Sequence, residues 1–373
     1  MRLYKHEIKK ALAAMTAASK DRSIPHAAVA IIPDDESVSV AVTFEIPTFH
    51  IETRLHVDDN FTKPVYMCLS HLVEAVKSVT TDAVLFSIED TSICIGNEDG
   101  SSKGKYALLP EGPRPQMVVG TKDTVFLPPG FLSRVVAAST ISSDTRHSTL
   151  LTRRGDKIVA MNTDAYRLVL LEAQADSKVG DIPEDYMLRN GDLHSLKSLV
   201  NEEDFYSVGL GVEWMSAKNN VRIIGPNWMA LLQTTGERAA NYKAIMPEPG
   251  SMPHRLKMNT AEQKKFTKAV KGMAKVFDRT EEQQMIVLSE IDGKPTGTTR
   301  SSINEIERNA ILPGQISSGG VALNLKSTFL LDGITILSLD DYELRYKDNN
   351  VLTMATGQTG DVHCTYLLMP TGQ

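Results

Sequence analysis

The chain has no paired cysteines, no long apolar run and no excess of positive charge. Cys68, Cys94 and Cys364 are its three cysteines among 373 residues, and no two share a CxxC spacing. That excludes a disulfide framework and a cysteine-based zinc site, and it fits a reduced interior. No window approaches the roughly 18 consecutive apolar residues that a membrane-crossing helix needs. The opening Met1-Arg2-Leu3-Tyr4-Lys5-His6-Glu7 reads as the start of an amphipathic helix rather than a charged stretch followed by an apolar secretory core. The cytoplasm is the expected compartment. Net charge is -6. A protein that grips nucleic acid by bulk attraction is usually basic, so only a local basic surface on an acidic body would serve that purpose.

Catalytic signatures are lacking too. Residues Gly293 to Thr299 are Gly- and Thr-rich but lack the phosphate-loop spacing and its strand–loop–helix frame. There is no HExxH, no GxSxG and no EF-hand ladder. Asp90, Glu98 and Asp99 sit in or beside a hairpin turn, where acidic residues serve turn geometry. Nine histidines are dispersed, and no Ser/His or Cys/His pair singles out a nucleophile. No metal or cofactor is expected. A binding or scaffold role follows better than catalysis, with a spatially assembled enzyme site as the weakest alternative.

What the chain does contain is repetition. At 373 residues it exceeds one ordinary core, and 42% apolar with 23% charged residues suits a soluble globular protein. Near the end of each third comes a short helix, two alternating strands and a last strand with an apolar tail. The helices are expected at Leu69–Val76, Leu193–Val200 and Phe329–Ile334. The final strands are expected at Tyr106–Pro110, Trp228–Leu232 and Thr365–Pro370. Each third opens with a helix, at Leu3–Ser19, Pro129–Ser139 and Thr260–Phe277. The period of roughly 120 to 135 residues is that of repeated whole domains, not of a solenoid. Pro/Gly-rich text around Glu111–Pro115 and Pro247–Pro253 places boundaries near 122 and 252. Three α+β domains are therefore expected, at 1–122, 123–252 and 253–373.

The leading helices carry cations. Phe266, Val270, Met273 and Phe277 recur at helical spacing and form one stripe. Lys264, Lys268, Lys271 and Lys275 form a second stripe, with Lys265 beside it. In the first third Ile8, Leu12 and Met15 read as the buried face, with Lys5, Lys9 and Lys10 away from it. The middle third offers Arg134, Arg146, Arg189 and Lys197. A solvated helix face explains any one such row, but the recurrence suits phosphate backbones, which lysine contacts without regard to sequence.

Particular residues then carry a resemblance. Met161-Asn162-Thr163-Asp164-Ala165-Tyr166-Arg167-Leu168 resembles the Ala-Thr-Asp-Gly-His/Tyr-Arg-Leu segment of the bacterial DNA polymerase III beta subunit family, the sliding clamps. Asn241-Tyr242-Lys243-Ala244-Ile245-Met246-Pro247 is similar to that family's Asp-Tyr-Arg-Arg-Val-Leu-Pro. Leu323-Asn324-Leu325 followed by Phe329-Leu330-Leu331-Asp332 resembles Phe-Asn-Val-x-Tyr-Leu-Leu-Asp, with two extra residues. Tyr366-Leu367-Leu368-Met369-Pro370 resembles the closing Tyr-Val-Val-Met-Pro, and Arg22-Ser23-Ile24-Pro25 a shortened Arg-Pro-Thr-Leu-Pro turn. These segments keep their order across nearly the whole chain.

The resemblance implies three tandem clamp domains, helices on one face of antiparallel sheets, and two chains closing head to tail into a six-domain ring. Such a ring holds double-stranded DNA topologically, which reconciles an acidic body with basic lining helices. It implies a processivity factor rather than an enzyme. Its partners would be a second copy of itself, DNA polymerase, a clamp loader and repair proteins, these last three docking short apolar peptides between the second and third domains. The matching groove positions are Thr149, Thr163, Ala165, Tyr166, Arg167, Leu168, Ala240, Ala244, Ile245, Asn324, Phe329, Val351, Thr353, Leu367, Leu368, Met369, Pro370 and Thr371. An apolar floor with a few polar anchors suits a peptide, although Leu367 and Leu368 also read as plain sheet core. Arg22, Arg189 and Asn190 match loops that lie near DNA in the family. Ala165, Ala240 and Ala244 replace the family's Gly, Pro and second Arg, which implies a reshaped groove. An oligomeric peptide-binding scaffold without DNA is the competing reading.

Overall fold

The computed structural model describes residues 1–24, 26–34, 38–58, 62–113, 123–142, 147–175, 185–214, 217–277, 284–301, 303–337, 340–349 and 351–369. One order of elements is written three times. The first copy is β1 (Arg2–Tyr4), α1 (Lys5–Asp21), β2 (Ala28–Pro33), β3 (Ser39–Ile46), β4 (Phe49–His56), β5 (Val65–Cys68), α2 (Leu69–Ser78), β6 (Ala83–Glu89), β7 (Ser92–Asn97) and β8 (Lys103–Ala107). The second is β9 (Asp123–Leu127), α3 (Phe131–Ala138), β10 (Ser148–Arg154), β11 (Lys157–Thr163), β12 (Arg167–Gln174), β13 (Asp185–Arg189), α4 (Asn190–Ser195), β14 (Tyr206–Trp214), β15 (Ala217–Ile224) and β16 (Trp228–Leu232). The third is β17 (His254–Asn259), α5 (Thr260–Met273), β18 (Met285–Ile291), β19 (Lys294–Ser301), β20 (Ile306–Ile311), β21 (Gln315–Ser317), β22 (Leu323–Lys326), α6 (Ser327–Leu337), β23 (Asp341–Tyr346), β24 (Thr353–Thr359) and β25 (Val362–Leu368). Among the described residues only the third carries an added strand, the short β21.

Each copy is itself a doublet of strand, helix and three-strand meander. The two halves exchange their first strands: β1 pairs with β6 of the second meander, and β5 with β2 of the first. The third copy repeats the exchange with β17–β23 and β18–β22. The strand pairs whose register is described are antiparallel, so one sheet face can pack inward while the other meets water. Val40, Val42, Phe44 and Ile46 on β3 point inward at this period and are at most 5% exposed.

The chain packs as two compact units. Unit one holds Met1–Ser139, Asp144–Ser148 and Ala175–Glu237, and unit two holds Thr140–Ser143, Thr149–Gln174 and Arg238–Gln373. Unit one contains the four-strand sheet β1-β6-β7-β8 and the eight-strand sheet β5-β2-β3-β4-β16-β15-β14-β9. Unit two contains β20-β19-β18-β22 and a run β10-β11-β12-β25-β24-β23-β17-β21. The seam β4–β16 joins the first meander of copy one to the second meander of copy two. The seam β12–β25 does the same for copies two and three.

The helices follow their apolar spacing. In α1, Ile8, Ala11, Leu12, Ala14, Met15 and Ala18 are buried. In α5, Phe266, Val270 and Met273 are buried as the stripe requires. The helix starts with a reciprocal cap: Glu262 N–H donates to Asn259 Oδ1 and Asn259 N–H to Glu262 Oε2, both at 2.9 Å. Such caps contribute about 1 kcal/mol. The sequence expects this helix to run to Phe277. Instead it tightens into a 3₁₀ turn over Ala274–Val276. Three residues per turn instead of 3.6 advance the buried phase by one position, so Val276 is 2% exposed while Phe277 is only partly covered.

The middle copy departs further. Its first helix begins at Phe131, not Pro129, because Gly130 sits at φ 80° in the left-handed region. Its second is the short Asn190–Ser195 followed by a 3₁₀ turn over Leu196–Ser198, ending before the expected Val200. Among the described residues no helix is long and apolar enough to cross a membrane.

Candidate functional site

The residues that the sequence singles out fall into rows of helix cations, separate in each unit, and a cluster within unit two. On α5, Lys264, Lys265, Lys268, Lys271 and Lys275 are all exposed, opposite the buried stripe. Like charges at i, i+4 repel by a few tenths of a kcal/mol each, so an unrelieved row lowers helix stability. On α1, Lys9 and Lys10 are exposed. Lys5 is not free, since its ammonium donates to the Val79 carbonyl just beyond the C-terminus of α2. Lys20 and Lys77 were missed. They rim a cavity of about 680 Å³ between α1 and α2, with Thr16, Ile24 and Val73 in its wall and Glu74 beside them. Nothing in the linear pattern pairs positions 20 and 77.

Four cationic or polar residues expected to face DNA in the first and second copies are buried or paired in the structure. Arg134 is 4% exposed, and its guanidinium folds back to donate to the Gly130 carbonyl at 2.9 Å. Asn190 is 1% exposed at the first turn of α4. Arg22 Nη2 donates to both oxygens of Asp192, at 2.7 and 2.9 Å. Arg189 Nη2 lies 3.1 Å from Asp21 Oδ2. These arginines neutralise carboxylates within unit one rather than presenting open charge. Burial pushes the Asp192 carboxyl up, and Arg22 pulls in the opposite direction. Lys197 is exposed; Arg146 lies outside the described residues.

The cluster lies in unit two at the seam of β12 and β25. Arg167 opens β12 and is its centre. Its guanidinium donates to Asp164 Oδ2 at 2.6 Å, to Asp332 Oδ2 at 2.6 Å, and to the Ile141 carbonyl. Its Cζ stands 4.1 Å from the centroid of the Phe329 ring, and Lys326 Nζ stands 5.0 Å from the same centroid. Two cations over one ring polarise it strongly. Burial opposes the Arg167 charge most, but the Asp164 hydrogen bond together with the electrostatic pull of Tyr366, Asp164 and Asp332 outweighs it, leaving the pKa raised. Burial raises the Asp332 carboxyl against the pull of Arg167.

The turn before Arg167 holds this centre in place. Asp164 Oδ1 accepts the N–H groups of Tyr166 and Arg167, and Thr163 Oγ1 donates to the Arg167 carbonyl at 2.7 Å. Ala165 takes φ 72°, a region that favours glycine. That conformation lifts Tyr166 outward, where it is 62% exposed, with its ring centroid 6.5 Å from that of Phe329. The Met369 N–H donates to the Tyr166 carbonyl at 3.0 Å, and Met369 is 49% exposed. The Tyr366 hydroxyl donates to the Phe329 carbonyl at 2.9 Å, fixing the start of α6 over β25.

The structure thus gathers Thr163, Ala165, Tyr166, Arg167, Phe329 and Met369 at one place. Thr149, Leu168, Thr353, Leu367 and Leu368 are each at most 2% exposed. They lie beneath as sheet core and offer no open surface. Leu168 pairs with Leu367, and Thr353 with Leu368. Ala240, Ala244 and Ile245 are exposed around the Tyr242–Ala244 turn. Asn324 lies on β22, its N–H bonded to Asn349 Oδ1 at 2.6 Å, and Val351 is partly covered. Pro370 and Thr371 lie outside the described residues. Sequence reading missed Asp164, Asp332, Lys326 and Ile141 as members of this cluster. Chemically it is an open aromatic and aliphatic surface with fixed charges at its edge, the type that holds an apolar peptide. Among the described residues no three His, Cys, Asp or Glu side chains are placed to hold a metal ion.

Solved structures share this fold over the full chain. One is a sliding clamp, DNA polymerase III subunit beta, from Pseudomonas aeruginosa bound to griselimycin (TM-score 0.77, 13% identity, covering 100% of this chain and 99% of that one). Another is the DNA polymerase sliding clamp from Bacillus subtilis (TM-score 0.77, 13% identity, 100% and 98%). A third is the DNA polymerase III beta subunit from Thermotoga maritima (TM-score 0.75, 12% identity, 100% and 99%). No protein-family profile matches the sequence, and no curated protein matches it either. At this identity the likeness establishes the fold.

Proposed function

We infer that this chain is a sliding clamp, a non-enzymatic processivity factor that encircles duplex DNA and tethers a polymerase. The observation that carries this reading is the end-to-end likeness to clamps, which covers 100% of this chain at a TM-score of 0.77. The three copies are the domains 1–122, 123–252 and 253–373. Lys9, Lys10, Lys20 and Lys77 in copy one, Lys197 in copy two and the α5 lysines in copy three are the cations that face phosphate. Partner peptides dock on Tyr166, Phe329 and Met369. Polymerase, loader and repair proteins bring them. The protein works in the cytoplasm, at the nucleoid.

Ring closure follows from the seam rule. Each seam joins the first meander of one copy to the second meander of the next, as β4 to β16 and β12 to β25. Copy three ends its first meander on β20, and copy one ends its second on β8, and each is the last strand of its sheet. Extending the rule pairs β20 of one chain with β8 of another, head to tail. Ile306 and Ile311 on β20 are 46% and 66% exposed, as a strand awaiting a partner would be.

The test has two arms. Light scattering should report a dimer for the unaltered chain and a monomer for Ile306→Asp with Ile311→Asp. Loaded onto DNA, the unaltered chain should stay on sealed circles and leave linear molecules, whereas reversing Lys264, Lys268, Lys271 and Lys275 to Glu should abolish loading but keep the dimer. Equal escape from circles and linear DNA refutes encirclement. One observation favours the DNA-free scaffold reading: Arg22 and Arg189 are already paired with carboxylates. A dimer that binds peptides but never loads would support it.

A further inference from the structure

The two large sheets end differently. In unit two, β21 lies outside β17, with Arg255 opposite Ser317, Leu256 opposite Ile316 and Lys257 opposite Gln315. In unit one the equivalent strand is β9, and among the described residues no strand lies beyond it. The equivalence is fixed by the inner neighbours. Leu127 of β9 faces Tyr206, and Met258 of β17 faces Tyr342. Both tyrosines are buried, at 2% and 1% exposure.

Stepping along the strands from that anchor matches Phe126 to Lys257, Ser207 to Glu343 and Phe205 to Asp341. In unit two these positions are charged, and Lys257 Nζ lies 3.9 Å from Glu343 Oε1. In unit one Phe126 is 59% and Phe205 72% exposed. Phe126 pairs in register with Ser207, so Phe205, two residues back, is its diagonal neighbour on the same face, within reach of an aromatic ring. Open sheet edges are normally guarded by charge because their free N–H and C=O groups template further pairing. Here the guarded edge is the covered one, and the open edge is aromatic.

We propose that β9 is a docking edge for an extended segment of a partner protein, apolar on one face and basic at its flanks. The sister edge identifies the form of the occupant, since a single short strand already fills that place there. Charge identifies its flanks: Glu202 and Glu203 are exposed, and Asp204 follows them, in the turn leading to Phe205. A second copy paired edge to edge about a twofold axis would set these acids against one another. Added-strand binding takes affinity from the backbone and specificity from alternate side chains. The site does not depend on DNA being encircled.

The test uses a fluorescein-labelled peptide, Lys-Lys-Val-Thr-Ile-Thr-Val-Lys-Lys, and the full chain, read by anisotropy. Saturable binding is expected. It should weaken by about tenfold or more, as for loss of an aromatic anchor, in Phe126→Lys with Phe205→Asp, the pair the sister edge already carries. Circular dichroism of that variant should match the unaltered chain; if it does not, Phe126→Thr with Phe205→Thr takes its place. Replacing the peptide lysines by Glu should remove binding. No saturable binding, binding by the folded variant equal to that of the unaltered chain, or equal binding of the acidic peptide overturns the proposal. So does self-association of the unaltered chain that the double variant abolishes, because a second copy would then be the occupant.

Discussion

The seams of the two units share a backbone and differ in what they present. In unit one the Gln233 N–H donates to the Thr48 carbonyl, and in unit two the Met369 N–H donates to the Tyr166 carbonyl, both at 3.0 Å. Unit one turns from β3 to β4 through Pro47 and Thr48, whereas unit two needs Asp164, Ala165 and Tyr166 between β11 and β12. That additional residue carries the left-handed φ and lifts an aromatic into solvent. Unit one instead buries its polar group: His50 is 0% exposed, 3.1 Å from Glu45 Oε2. One frame therefore yields a closed seam and an open one, and the difference lies in a single turn and the arginine after it.

The strongest way to break the comparison is Arg167→Ala. It deprives Asp164 Oδ2 and the partly covered Asp332 of their cation and removes the nearer of the two cations over Phe329. A loss of about 3 kcal/mol is expected from an unpaired, largely buried charge, measured by urea denaturation. Arg22→Ala tests the helix-side counterpart in unit one. Asp192 is 1% exposed but keeps Arg189 nearby, so a smaller loss of about 2 kcal/mol is expected. An equal or larger loss would show that unit one, not unit two, depends most on its buried charge.

The matched tyrosines sharpen the contrast. The Tyr206 hydroxyl accepts the Asn201 N–H at 2.8 Å, whereas the buried Tyr342 hydroxyl has no partner among the described residues. Tyr206→Phe should cost about 1 kcal/mol and Tyr342→Phe about zero or slightly less. Burial pushes the Tyr206 phenol from 10.0 up to about 12. The folded chain then holds this proton more tightly than the unfolded one. Its contribution is complete below pH 10 and is lost as pH rises through about 12. The stability gap between the unaltered chain and Tyr206→Phe should therefore shrink over that range, and a constant gap would refute it. A small effect of opposite sign is expected for Ala165→Gly, which relieves the left-handed alanine and should stabilise by about 0.5 kcal/mol, net of the unfolded-state entropy glycine adds.

Much of this was legible in the chain because it is periodic. Phe266, Val270 and Met273 mark a helix face through spacing alone, and the threefold order of elements follows from recurring strand–turn–strand text. The tandem clamp fold was legible through the Asp164–Leu168 and Tyr366–Met369 segments. The cation assignments for Arg22, Arg134 and Arg189 were not. Whether an arginine is open or paired depends on which acid the fold brings near, and Asp192 lies 170 residues from Arg22. The Phe329 cluster was hidden for the same reason, since Arg167 and Asp332 are 165 residues apart.

The exchanged first strands have a consequence for synthesis. The first meander of a copy gains its outer strand only when β5 has been made, and the β4–β16 seam closes only once residues near 230 have left the ribosome. Until then Phe49 to Thr53 offer a bare strand to any neighbour on the same message. Pairings so distant in sequence are slow to find. A chain built this way would favour slow translation or a holdase over speed, and truncation before β16 should yield aggregates rather than a smaller folded protein.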